Sequence, residues 1–413
     1  MTEFGTLLRN LRVAAGMSLG ELARQIRYSK GQVSKIENGH TKPSPGFARQ
    51  CDHVLATGGT FSALLRQEPR RAETAPSEDV WVLELDEDGT LRYTEMPRRQ
   101  VLMGAGALLG YAMSRSARPA IDERTFAGLR GSFDQHRALG TMMSPSLVIA
   151  GVIAHLHTLR TLAVDNPEPM RTELMLLAAR VAEYAGWMSQ EAGREADALR
   201  WTDRAVTFAA DHDPHLASFA LFRHAEVALY QHDPARTIEL ARMAQQDRTA
   251  GPRILGLAAR IEAQGHALAG DVSGYGAALD RAAELLATRE ENDGPVLGPA
   301  SVPDDLALVR GWSLYDLGRP GEAAAVLDRQ LHLIPLTARR ARARFGVRRA
   351  LAHAQDSEVE QACLATWEVL ADVAIVDSAT IRLDLRELNR TLNRWHSHHS
   401  VRELRTELVP LLR

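Results

Sequence analysis

RGWSLYDLGRPGEAAAVLDRQLHLIP, residues Arg310 to Pro335, reads as a helix, a tight turn and a second helix. Its register positions are Gly311, Gly318, Ala323 and Gln330, at steps of seven, five and seven residues. The same steps recur three times upstream, at Gly186, Gly193, Ala198 and Ala205, at Ala225, His232, Thr237 and Ala244, and at Ala263, Gly270, Tyr275 and Ala282. A small residue in the first helix, one at the turn and two in the second helix are what a close-packed helical pair requires. Recurrence of that pattern makes most of the chain a stack of such pairs.

These steps resemble those of the tetratricopeptide repeat, and the last copy adds Leu327 and Pro335 at the offsets of that family. The segment AGWMSQEAGREADALRWTDRAVTFA, residues 185–209, follows it closely, whereas the third copy is degraded by Tyr275 at a small-residue position. A fifth copy runs through VRRALAHAQDSEVEQACLATWEVL, residues 347–370, with an irregular turn. First positions lie 39, 38 and 48 residues apart, more than the roughly 34 of an ideal repeat, so insertions fall in loops. Residues 120–180 and 380–413, helical but out of register, are expected to cap the ends. The resemblance implies a superhelix whose concave face binds extended peptides or protein segments.

Composition agrees with an all-α protein. Of the 413 residues, 45% are apolar and 24% charged, aromatics are sparse at 5%, and Ala and Leu abound. The length calls for two or three domains, or a solenoid. Charge is uneven: residues 1–67 carry nine Lys and Arg against four Asp and Glu, a net +5, while the remainder is −8. A basic head on an acidic body points to a polyanion partner for the head alone. All three lysines, Lys30, Lys35 and Lys42, fall in YSKGQVSKIENGHTKPS, residues 28–44.

That segment sits among strong helix punctuation. Phe4, Leu7, Leu8 and Leu11 define a first helix that Gly16 ends. Ser18 with Glu21 and Ser29 with Gln32 form capping boxes opening a short helix at about residues 19–26 and another that Gly39 ends, and Ser44 precedes a helix with Pro45 at its first position. Two short capped helices in succession are the helix-turn-helix plan, whose second helix enters the major groove of double-stranded DNA. With Val33 and Ile36 inward, Ser29, Lys30, Gln32, Ser34 and Lys35 are left to meet bases, and Asn38 and Lys42 to meet phosphates.

LLRNLRVAAGMSLGELARQIRYSKGQVSKIENGHTKPS resembles the five-helix DNA-binding domain of Xre and lambdoid phage repressors, with Ser18, Leu22, Ala23, Ser29, Val33, Ser34, Ile36, Glu37 and Gly39 on the family pattern. The resemblance implies a homodimer on a roughly palindromic operator, with Lys30, Gly31 and Lys35 at bases and the neighbourhood of Asn38 and Lys42 at backbone phosphates. It departs at Leu19, where that family carries a DNA-contacting Gln, and Gly31 offers no side chain. Head and repeats together resemble the peptide-responsive quorum-sensing regulators of Gram-positive bacteria and the actinobacterial Xre-type regulators. The first of these implies a signalling peptide as ligand.

Between head and repeats, residues 68–79 are polar and proline-bearing and read as a linker, followed by a β-hairpin around Asp88-Gly89. Trp81 and Leu83 of that hairpin are expected to pack on a helix from Arg98 to Met113. MPRRQVLMGAGALLGYAM, residues 96–113, mimics an export signal, yet it lies far inside the chain and its apolar run is shorter than the roughly 20 residues that span a bilayer, so no membrane role is expected. Cys51 and Cys363 are far apart and fit a reducing cytoplasm. His396, His398 and His399 read as a solvated turn, and no metal, cofactor or catalytic constellation is expected.

The expected domains are 1–67, a DNA-binding head; 68–119, linker, hairpin and apolar helix; and 120–413, a sensor and dimerisation body for a peptide or small molecule whose ligand-binding residues are not assignable. The reading is a non-enzymatic, cytoplasmic transcription regulator. The alternative is a helical scaffold regulated by protein partners, with DNA binding as an anchor.

Overall fold

The computed structural model describes residues 3–65, the strand backbones 79–85 and 91–97, and residues 121–412 apart from 210–212, 248–249, 289–296 and 299–301. Helices α1 Glu3–Ala14, α2 Leu19–Gln25, α3 Lys30–Glu37, α4 Pro45–Val54 and α5 Thr60–Leu64 form the head. Both capping boxes are present. The Glu21 N–H donates to Ser18 Oγ at 3.2 Å while the Ser18 N–H donates to Glu21 Oε2 at 2.7 Å, and Ser29 and Gln32 repeat the exchange at 3.2 Å each way. Phe4, Leu8, Leu22, Ile26, Val33, Ile36, Phe47 and Phe61 make one core. A buried pair, Arg12 Nε to Glu37 Oε1 at 2.6 Å, ties α1 to the end of α3.

Strands β1 Asp79–Leu85 and β2 Leu91–Pro97 pair antiparallel, Asp79 opposite Pro97 and Leu85 opposite Leu91. The Asp88-Gly89 turn, the packing of Trp81 and Leu83 and the Arg98 to Met113 helix lie outside the described residues.

The body opens with α6 Glu123–Gly140 and α7 Pro145–Asp165. Five helical pairs follow: α8 Met170–Glu191 with α9 Glu195–Ala209, α10 Pro214–Tyr230 with α11 Pro234–Ala244, α12 Pro252–Ala269 with α13 Val272–Ala287, α14 Asp305–Asp316 with α15 Pro320–Leu331, and α16 Arg339–Gln355 with α17 Val359–Trp367. Helices α18 Leu370–Val376, α19 Ala379–Leu392 and α20 His399–Leu408 complete the described chain. Proline in the first turn of α7, α10, α11, α12 and α15 occupies positions whose N–H groups would have no helical partner, and the side chains of Asp213, Asp233, Asp271 and Asp304 cap the helices behind them.

The repeat register falls as the spacing requires. In each of the first four pairs the first member lies in the first helix, the second at the turn and the last two in the second helix. Ala198, Ala225, Ala263, Ala282 and Ala323 are buried at 1% exposure or less, and a Cβ on Gly186 would lie 3.0 Å from the Ala198 carbonyl oxygen. Tyr275 still fits, 8% exposed. At the fifth turn Ser357 takes the positive φ of 69° that glycine supplies at the first, third and fourth turns and His232, at 57°, supplies at the second.

The two ends of the body meet. Its late helices return to its first ones. The Arg340 N–H donates to the Thr141 carbonyl at 2.8 Å, and the Arg340 guanidinium donates to the Gly140 carbonyl at 2.7 Å and to Glu191 Oε2 at 2.9 Å. Glu191, 1% exposed, also accepts from Arg344, from Ser378 Oγ at 2.8 Å and from Thr380 Oγ1 at 3.0 Å. The superhelix is thereby a closed ring. Burial alone would raise the Glu191 pKa, but the Arg344 and Arg340 guanidiniums outweigh it and hold the carboxyl at about 2.

Replacing Glu191 with Gln removes the charge that buried Arg340 and half-buried Arg344 share and should cost roughly 3–5 kcal/mol in denaturant unfolding. Because the folded-state pKa is depressed, this stabilisation is complete above the ordinary value of 4.5 and fades as pH falls towards about 2. Wild type should therefore lose stability across that acid window more steeply than E191Q.

Candidate nucleic-acid interface and interior cavity

Helix α3 presents the expected residues to solvent. Ser29, Lys30, Gly31, Lys35, Asn38 and Lys42 are exposed, and Gln32 and Ser34 are half-buried. Two of them have local tasks as well: Gln32 Oε1 closes the capping box, and Asn38 Nδ2 donates to the Ser34 carbonyl at 2.9 Å. Gln32 therefore offers its amide NH2 more readily than its oxygen. The lysines stand at the start, the end and just beyond the end of a capped helix, held at the back by Val33, Ile36 and the Arg12–Glu37 pair.

Through α4, residues 58–59 and residues 27–28, the head rests on the rim of the ring, where three successive repeat turns are aligned. Gly318 admits α4 closely: a Cβ there would lie 2.8 Å from the Arg49 carbonyl oxygen and 2.7 Å from His53 Cβ. Gly59 meets the α12–α13 turn so tightly that a Cβ would fall 1.9 Å from the Ala269 carbonyl oxygen. At the fifth turn, Asp356 pairs with Arg27, and Gln355 Nε2 reaches the Gly46 carbonyl at 3.4 Å. Arg394 lies 3.7 Å over the ring of Tyr28, the residue before the α3 cap.

Arg49 is the buried centre of this contact. It pairs with Glu387 Oε1 at 2.5 Å, lies 3.6 Å from Asp316 Oδ1 and stacks 4.4 Å over Tyr315, whose hydroxyl donates to the same Glu387 oxygen at 2.9 Å. Burial opposes the charge on Glu387, yet Arg49 keeps its carboxyl below the usual range. Asp316, less closely held, is pushed by burial up to about 6.

Inside the ring is a cavity of about 340 Å³, within the roughly 300–1,000 Å³ of small-molecule sites. Its helical walls come from α6, α8, α10, α12, α14 and α16, the inner helix at each step, with a loop contribution from Leu297, Gly298 and Val302. Aromatic rings and guanidiniums alternate around it, including Trp187, Phe222, Tyr230 and Trp312 among Arg180, Arg223, Arg260 and Arg344. Tyr230 and Trp312 also border a smaller space next to Arg49. From there Arg348 lies over the Trp312 ring and pairs with Asp384 at 2.9 Å, one helical turn before Glu387. The cavity and the head contact thus share a wall.

The Arg49 contact was not anticipated from the sequence, and of the cavity only a ligand-binding concave face was expected, not its lining residues. Each gathers single residues from many helices, and the only available signal was a charged residue inside an apolar stretch, such as Arg49 between Phe47 and Cys51.

Residues 3–65 match a family model described as a helix-turn-helix domain. No curated protein matches the chain. Among solved structures, a Rap protein complexed with competence and sporulation factor is 12% identical with a TM-score of 0.41, over 70% of this chain and 98% of that one, a likeness too loose to build on.

Substituting Arg49 with Met leaves Glu387 and Tyr315 without their buried cation and should weaken head docking by roughly 3–5 kcal/mol. Small-angle scattering should then show a larger radius of gyration at unchanged helical content. An unchanged radius would mean that the glycine-lined contacts hold the head without Arg49.

Proposed function

We propose that the chain is a sequence-specific DNA-binding transcription regulator, cytoplasmic and homodimeric, whose helical-repeat body senses a signalling peptide or small molecule. The observation that carries this reading is the exposed, lysine-bearing face of α3 on a domain matched as helix-turn-helix. Lys30 and Lys35 can donate to guanine O6 and N7, while Lys42 suits a phosphate. The domains follow as 1–67 for DNA, 68–119 as connector and 120–413 for sensing and dimerisation. The chemistry offered by the head and ring is binding, with no step of bond making assigned to them.

The shared wall supports a route from ligand to head. A ligand touching Tyr230 and Trp312 acts on Arg348, hence on Asp384 and Glu387, and Glu387 holds Arg49. Half-sites on one face of a palindromic operator lie about 34 Å apart. Small changes in how each head sits on its rim alter the spacing of two heads in a dimer and so the operator affinity.

Selection of genomic fragments by the purified chain at physiological salt tests the reading, and enrichment of a short palindrome is expected. Uniform retention without a motif would favour the partner-regulated scaffold. On the selected site, Lys35→Ala should lose roughly 1–3 kcal/mol of base discrimination, whereas Lys42→Ala should weaken all sequences alike and lower the salt slope by about 1. Two variants indistinguishable from wild type would remove α3 as the reading helix.

A further inference from the structure

We infer that the cavity inside the ring binds an organic anion with an aromatic or otherwise apolar body, its acid group taken by Arg223, Arg260, Gln264 and Tyr230. The inference rests on the ligand-sensing reading above and supplies the ligand's chemistry.

The lining has three carboxylates, and the cavity's own guanidiniums engage them. Arg223 pairs with Glu226 and lies 3.6 Å from Glu183, and Arg260 pairs with Asp305. Further carboxylates behind the wall are also taken: Asp213 accepts from Arg180 at 2.8 Å, and Glu191 holds Arg340 and Arg344. What remains is one-sided. Among the described lining residues the buried side-chain atoms with no hydrogen-bond partner are Arg180 Nη1, Arg223 Nε, Arg260 Nε, Gln264 Nε2 and the Tyr230 hydroxyl oxygen. Arg223 Nε has Glu183 Oε1 at 3.6 Å as its nearest acceptor, the other three nitrogens carry N–H donors with none, and the Tyr230 hydroxyl can donate as well. Arg223, Arg260 and Gln264 are 4%, 5% and 2% exposed, so solvent does not readily serve them. Buried donors without acceptors are costly, and a carboxylate, sulfonate or phosphate supplies several acceptors from one small group.

The rest of the wall defines the ligand's body. Phe219, Phe222, Tyr230, Trp312 and Phe345 offer ring faces for a flat or apolar group.

The test is equilibrium fluorescence titration of the full chain with 8-anilinonaphthalene-1-sulfonate and, separately, with N-phenyl-1-naphthylamine, which keeps the rings and lacks the sulfonate. The anion should bind saturably at one site per chain and at least about ten-fold more tightly than the amine, the size expected of charge-assisted hydrogen bonds. The double variant Tyr230→Phe with Gln264→Leu removes two unpaired groups. It should bind the anion about ten-fold more weakly and the amine unchanged, with a Tm no lower than wild type. Equal affinity for the two probes, a double variant with wild-type affinity for the anion, or no saturable binding of the anion would each overturn the inference. Operator binding by the same wild-type protein is scored separately. Anion binding without operator recognition would remove the regulator reading and leave the cavity chemistry standing, and operator recognition without anion binding would do the reverse.

Discussion

The buried carboxylate of Glu191 is the interaction on which the rest of the body depends. A stack of helical pairs fixes only neighbour-to-neighbour geometry and would by itself remain an open superhelix. Here the α8 end offers one carboxylate to two arginines of α16 and two hydroxyls near the start of α19. Such a cluster tolerates little displacement, because each donor lost leaves charge in a low-dielectric interior. Closing the ring gathers the concave face around one partly open cavity and fixes the curvature of the rim that carries the head.

That rim is where repeat architecture and DNA-binding head become one structure. The repeat turns demand a positive φ, met by glycine at 270 and 318, and the same missing side chains let the head approach. A glycine needed for one reason thus serves a second. The charged centre at Arg49 adds orientation to this contact, since its partners Glu387 and Tyr315 converge from α19 and α14. The docked head keeps its lysines exposed.

Legibility followed the range of the interactions. The capping boxes at Ser18 and Ser29 and the left-handed glycines Gly16 and Gly39 depend on residues three or four apart, and each appears as its spacing required. The small-residue register was legible because helical packing repeats it four times. Gln32 was legible only in part: its place on α3 followed from spacing, while the engagement of its oxygen in the cap limits what it can offer outward.

The sequence by itself determined the helical pairs, their turns and a basic head with its lysines on one short capped helix, because local backbone chemistry and helical periodicity are written in nearby residues. Only the tertiary structure decided that the array closes, that the head rests on three turns, and that arginines from α8, α10, α12 and α16 share one cavity. Glu191 and Ser378, or Arg49 and Glu387, are separated by 187 and 338 residues. Which distant charges meet is set by the accumulated twist of the whole stack, a property that no short stretch of the chain contains.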